Sequence, residues 1–161
     1  MKCLILAAGR GSRIAEEGDC KPLLPLLGVP LIERTIAAAD QAGLTEFCVV
    51  TGHNGRRVET FLSELSLRRN LTITTVTNQD WEKGNGTSVH RARELFDERF
   101  VLLMADHVFD EAILTSLVRE PPQDGELILA ADYNVDGNLF VDADDVTRVL
   151  AENGRIIDIG K

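Results

Sequence analysis

The stretch from Leu4 to Arg13 reads LILAAGRGSR, an apolar segment that runs straight into two glycines and two arginines. Glycines let a backbone approach an anion closely, and exposed amides in such a turn form an anion-binding concavity. Two common phosphate loops do not match it. A Walker loop needs Lys-Ser/Thr at a fixed distance, but Gly9 is followed by Arg10 and Gly11 with no such lysine. A dinucleotide fingerprint needs a third glycine where Ile14 stands. What remains is Ala7-Ala8, then Gly9, Gly11, Ser12 and Arg13, and further on Lys21-Pro22-Leu23. The chemistry that suits this set is charge neutralisation on a triphosphate. Arg13 and Lys21 supply the two cations that the leaving group and the α-phosphate would need.

Such residues must be positioned by elements, and apolar runs alternate with helical patterns along the chain. Cys3–Ala8, Glu46–Thr51, Leu71–Val76, Phe100–Ala105 and Glu126–Ala131 read as strands. Pro30–Gly43, Arg56–Leu65, Thr87–Phe96 and Glu111–Val118 read as helices. This rhythm implies an α/β, Rossmann-like fold: a mostly parallel sheet with helices on both faces. Ligands in such sheets bind beyond the carboxyl ends of the strands, which places the loops after Ala8, Thr51 and Ala105 at the site. Asp106 opens the last of these loops, and His53 lies in the second. Asn153-Gly154 between two β-type runs in Val146–Ile159 predicts a late β-hairpin. Repeats, low-complexity segments and linkers are absent from the sequence, which predicts a single domain over residues 1–161.

The totals narrow the function. The net charge is −9, which speaks against a nucleic-acid-binding surface. The acid is uneven: Pro121–Lys161 holds nine Asp/Glu against three Lys/Arg, whereas Met1–Asp40 holds five of each. Cys3, Cys20 and Cys48 show no metal-ligand spacing and read as reduced thiols of a cytoplasmic protein. No apolar run is long enough to span a bilayer. Asp132, Asn134, Asp136 and Gly137 begin like a calcium loop, but its last ligand position holds Ala143.

LAAGRGSRI followed by KPLLPLLGVPLIERTI resembles the signature of the sugar-phosphate nucleotidyltransferases. VVTGHN, KGNGTS, LLMADHVFD and the late VTRVLAENGRIIDIGK follow in the family's order. The combination looks most like the CTP:inositol-1-phosphate cytidylyltransferases. The resemblance implies Mg²⁺-dependent transfer of CMP from CTP to inositol 1-phosphate or a similar phosphorylated alcohol, with release of pyrophosphate. It implies Arg13, Lys21 and Asp106 as catalytic residues, with Asp106 also the Mg²⁺ ligand. It implies nucleotide contacts from Leu6, Ala7, Ala8, Gly9, Gly11 and Ser12, from Thr51 and Gly52, and from Gly84, Asn85, Thr87 and Ser88. Asn85 can both donate and accept, as cytosine recognition requires. His107 and Lys161 are the implied acceptor-binding residues. Family members are longer than this chain, so the resemblance implies a catalytic domain lacking its C-terminal part. A membrane-embedded synthase is the implied partner. The alternatives are a sugar-1-phosphate or phosphocholine nucleotidyltransferase, and a nucleotide-binding module with impaired catalysis.

Overall fold

In the computed structural model, residues 1–11, 20–120, 122–133 and 146–160 are described. The incomplete calcium-like stretch falls mostly on residues outside this set. The chain divides into two compact units, Met1–Pro121 and Pro122–Lys161.

In the first unit, strand β1 (Lys2–Ala7) is buried from Cys3 onward, as a continuous apolar run should be when both faces are covered. Its side chains split between two cores. Cys3, Ile5 and Ala7 join one cluster, and Leu4, Leu6 and Ala8 the other. Two short strands follow, β2 (Pro25–Leu26) and β3 (Val29–Pro30), which pair antiparallel. Leu27 (φ 52°) and Gly28 (φ 80°) form the two-residue turn between them, with the positive φ at both positions that a type I′ turn requires.

Helix α1 (Leu31–Gln41) buries Ile32, Thr35, Ile36 and Ala39, spaced to lie on one face. Strand β4 (Glu46–Thr51) leads to helix α2 (Gly55–Arg69), which buries Val58, Leu62 and Leu65. The extra turn of α2 beyond the predicted Leu65 carries Arg68 and Arg69. Each places a guanidinium nitrogen 3.1 Å from a carboxylate oxygen of the largely buried Glu33 on α1. These pairs offset the cost of burying that charge.

Strand β5 (Thr72–Thr77) precedes helix α3 (Asn85–Arg91). The predicted helix Thr87–Phe96 is broken at Ala92, and Arg93–Leu95 forms a separate 3₁₀ turn. Strand β6 (Phe100–Met104) and helix α4 (Glu111–Arg119) complete the unit. Asp110 caps α4, accepting a hydrogen bond from the Ala112 amide at 2.8 Å.

The four long strands are all parallel, in the order β5-β4-β1-β6. Apolar side chains of α1, α2 and α4 pack on one face, while Val89 and Ala92 at α3 and Trp81 pack on the other. The predicted α/β architecture with helices on both faces therefore holds. Strand order reverses between β4 and β6 on either side of β1. The ligand-binding crevice expected of such a sheet thus lies at the carboxyl ends of β1 and β6.

The second unit contains the predicted hairpin, β7 (Arg148–Glu152) and β8 (Arg155–Gly160), paired antiparallel. Asn153 (φ 50°) and Gly154 (φ 77°) make its turn. The predicted strand Glu126–Ala131 is not formed. That segment follows a turn closed by the Glu126 amide onto the Gln123 carbonyl at 3.0 Å, and Leu127, Ile128 and Leu129 are exposed. An apolar run gives strand propensity, but a strand also needs a neighbour to complete its hydrogen bonds.

Candidate active site

Three segments of the first unit meet at the carboxyl ends of β1 and β6. The first is the glycine loop after β1. Leu6, Ala7 and Ala8 are buried, and Gly9 and Arg10 are exposed. Gly11 has φ 68°, and a Cβ there would sit 2.5 Å from Lys21 Cβ and 2.6 Å from Lys21 Cδ. Glycine is thus required twice, by conformation and by contact with the lysine stem. The second segment is the 3₁₀ turn Lys21–Leu23, with Pro22 buried. The third is the loop after β6, held to β1 by the Ala105 amide donating to the Leu6 carbonyl at 3.0 Å.

The loops bring Lys21 and Asp106 together: Lys21 Nζ lies 2.6 Å from Asp106 Oδ2, with both side chains about a quarter exposed or less. The other carboxylate oxygen, Asp106 Oδ1, is buried and finds no hydrogen-bond partner among the described residues. His107 Nε2 stands 3.9 Å from that oxygen, on a mostly exposed side chain. The backbone of the loop meets α1 at Thr35, whose hydroxyl lies 3.2 Å from both the Leu31 and the His107 carbonyls and shares its one proton between them. Nothing in the sequence marks Thr35, because a threonine on a buried helix face reads as packing.

The loop after β4 closes against the glycine loop. The His53 amide donates to the Ala8 carbonyl at 2.9 Å. A Cβ on Gly52 would lie 2.7 Å from that carbonyl oxygen, 2.7 Å from Trp81 Cβ and 2.9 Å from Ala8 Cβ. Thr51 is fully buried, and its hydroxyl donates to Glu59 Oε1 at 2.7 Å. Thr77 donates to the same oxygen at 3.1 Å. Glu59 therefore ties the ends of β4 and β5 to α2, a role that sequence reasoning did not assign. The His53 and Trp81 rings approach to 5.1 Å between centroids.

The Gly84–Ser88 stretch forms the start of α3. Gly84 and Asn85 are exposed, and Ser88 is buried. The hydroxyls of Thr87 and Ser88 each accept a hydrogen bond from Asn78 Nδ2 at 3.0 Å. A cavity of about 290 Å³ opens beside this loop, with Asp80, Lys83, Gly86, Thr87, His90 and Arg91 in its wall. Lys83 pairs with Asp80 at 2.7 Å, and this lysine holds the Asp80 carboxyl below its usual range.

Ser12, Arg13 and Lys161 lie outside the described residues. Lys21, Asp106, His107 and the Leu6–Gly11 loop are brought together, with Thr51 and Gly52 behind the loop. Among the described residues no group of three or more His, Cys, Asp or Glu side chains is placed to hold a metal. Among the described residues, Asp106 offers a hard carboxylate ligand near the glycine loop. No helix among the described residues is long and apolar enough to cross a membrane.

Residues 3–152 match the family model described as a MobA-like NTP transferase domain. The chain is 37% identical over 158 residues to the "Bifunctional IPC transferase and DIPP synthase" of Rubrobacter xylanophilus, covering 98% of this chain and 34% of that protein. The protein of the same name from Archaeoglobus fulgidus is 32% identical, with 100% of this chain and 30% of that one covered. The chain thus spans about a third of the length of these relatives. The solved structure of the inositol-1-phosphate CTP transferase from T. maritima shares its fold, with a TM-score of 0.76 over 99% of this chain and 63% of that one at 19% identity. With nearly its whole length matched, this chain belongs to the MobA-like NTP transferase domain family.

Proposed function

We propose that this chain is a nucleotidyltransferase domain that transfers CMP from CTP to inositol 1-phosphate or a similar phosphorylated alcohol. The observation that carries the reading is the convergence of Gly11, Lys21 and Asp106 at the sheet's switch point. The choice of CTP and inositol phosphate is supported by the resemblance of KGNGTS and ADHVFD, and by the relatives named as IPC transferases.

In this reaction a phosphate oxygen of the acceptor attacks the α-phosphorus in line. A new P–O bond forms as the bond to the bridging oxygen breaks, and pyrophosphate leaves with the electron pair. Such chemistry rests on positioning and charge neutralisation rather than on proton transfer. The backbone amides of the glycine loop cradle the triphosphate. Lys21, its stem fixed against Gly11, bears on the charge that builds at the α-phosphoryl oxygens. Arg13 takes the departing pyrophosphate. His107, exposed at the mouth of the loop, is the candidate contact for the acceptor phosphate.

Asp106 fits Mg²⁺: it offers a hard carboxylate with one buried oxygen unpartnered among the described residues, and Mg²⁺ characteristically uses one or two carboxylates plus phosphate oxygens and water. When bound there, the ion would polarise the phosphoryl oxygens and neutralise their charge. The three cysteines are free and buried, in keeping with a reducing, cytoplasmic setting. The relatives' bifunctional names support a synthase as the partner that uses the product.

The test is pyrophosphate release by the full-length protein from CTP, Mg²⁺ and inositol 1-phosphate. Release is expected. Its absence would refute the reading, and tighter binding of UTP or GTP than CTP would reject the choice of base.

A further inference from the structure

We infer that Asn78, at the end of β5, is the positioning residue through which the nucleotide-recognition loop is held, so that base selectivity is set by Gly84–Gly86 and Asn85 rather than by the hydroxyls of Thr87 and Ser88. The inference rests on the nucleotidyltransferase reading for its ligand, but its geometry stands independently. Asn78 is 1% exposed. Its amide donates to the Thr51 carbonyl at 2.7 Å, which fastens it to the end of β4. Its side chain spends both kinds of polar group inside the protein. Nδ2 donates to Thr87 Oγ1 and to Ser88 Oγ at 3.0 Å each, and Oδ1 accepts from the Asp80 amide at 2.9 Å.

Thr87 relays the constraint. A hydroxyl has one proton to give, and of the two carbonyls within reach of Thr87 Oγ1, that of Gly84, at 2.8 Å, is nearer than that of Asp80, at 3.3 Å. The nearer carbonyl belongs to a residue at φ 97° and ψ 171°, a backbone region open essentially to glycine alone. The chain of contacts therefore runs from β4 through Asn78 and Thr87 to a glycine whose conformation sets the entry to α3. With Ser88 buried and the Thr87 hydroxyl engaged by Asn78 and the Gly84 carbonyl, the polar groups of Gly84–Ser88 left exposed are the Gly84–Gly86 backbone and Asn85, while Asp80, Lys83, His90 and Arg91 line the adjoining cavity. Among the described residues outside the local backbone, no heavy atom stands within 4 Å of a Cβ placed on Gly84 or Gly86, leaving room for a planar ring against the backbone. The ligand chemistry is the hydrogen-bonding edge of a pyrimidine, which an amide side chain can match with one donor and one acceptor. Buried polar networks of this kind fix one geometry because each unmade bond is costly.

The test compares wild type with Asn78→Asp, which keeps the acceptor and loses the donor. Thr87→Val, at a partly exposed position, is the second variant should the first fail to fold. Dissociation constants for CTP, UTP and pyrophosphate are measured by calorimetry on the full-length protein. Amide hydrogen exchange of Gly84–Ala92 is followed without ligand. CTP binding is expected to weaken roughly tenfold, the equivalent of one lost hydrogen bond. The CTP-over-UTP preference should collapse, pyrophosphate affinity should stay unchanged, and the loop amides should exchange faster than those of β1 and β4. An intact CTP preference with unchanged loop exchange would overturn the inference. Equal weakening of CTP and pyrophosphate would also overturn it, because it would mean general damage. Wild-type protein that binds no nucleotide would instead refute the nucleotidyltransferase reading, while the exchange data still decide whether Asn78 holds the loop.

Discussion

Replacing Gly52 with alanine drives a methyl group into the seam between three loops. The added Cβ would meet the Ala8 carbonyl oxygen at 2.7 Å, Trp81 Cβ at 2.7 Å and Ala8 Cβ at 2.9 Å. None of these is the far end of a flexible side chain. Relief requires the backbone of the glycine loop, or the segment carrying Trp81, to move by several tenths of an ångström. Overpacking of this kind costs about 1–3 kcal/mol. With a urea m-value of about 1–3 kcal/mol/M, the unfolding midpoint should drop by on the order of 1 M. Displacement of Ala8 also pulls at the hydrogen bond from the His53 amide, so nucleotide affinity should fall alongside stability. Gly86→Ala is the control. It lies inside α3 with nothing within 4 Å of the added methyl, so stability should be unchanged or gain up to about 1 kcal/mol from helix propensity. Urea melts compare the two variants, and nucleotide titration by calorimetry follows Gly52→Ala against wild type, because Gly86 borders the proposed base site. A Gly52→Ala melt that superimposes on wild type would refute the claim that this seam is rigid.

If the proposed mechanism is right, Lys21→Ala should lower turnover on the order of 10²-fold while the far-ultraviolet spectrum stays native, since the proposal has Lys21 neutralise charge developing at the α-phosphate. Near wild-type turnover would assign Lys21 to a plain ion pair. Burial pushes the Cys3 thiol up from 9.0 to about 12, helped by nearby Cys48, which is itself raised to about 11 by burial. The folded thiol keeps its proton to higher pH than the unfolded one. Its contribution to stability is therefore full below pH 9 and is lost as pH rises toward 12. Cys3→Ala should flatten that decline by about 1.4 kcal/mol per pH unit, read from urea melts between pH 9 and 11. An unchanged slope would exclude Cys3 as its source. Leu62→Ala, at 1% exposure in the core under α2, should cost about 2–5 kcal/mol, measured by the same melts.

Much of this molecule could be read from its sequence because its local and global signals agree. The LILAA run has no polar alternation, which says that β1 is covered on both faces, and its side chains do divide between two cores. Asn153-Gly154 fixed the late hairpin through turn chemistry alone. The pairing of Lys21 with Asp106 was approachable only through topology: the residues are distant in sequence and meet because β6 lies beside β1. Three features were hidden for physical reasons. Asn78 lies just past a strand, where asparagine is ordinary turn chemistry, and no pattern reveals that its side chain points inward to Thr87 and Ser88. Glu59 carries no motif that singles it out, yet it accepts from Thr51 and Thr77. Glu126–Ala131 has strand composition, but propensity does not supply a pairing partner.

The central claim is that Asp106 and the glycine loop after β1 together form a metal-assisted triphosphate site. It is tested most directly by calorimetric titration of CTP into wild-type protein and Asp106→Asn, each with Mg²⁺ and with EDTA. Wild type is expected to bind CTP tightly with Mg²⁺ and at least tenfold more weakly with EDTA, and Asp106→Asn should lose that dependence. Equal CTP affinity in all four titrations would contradict it.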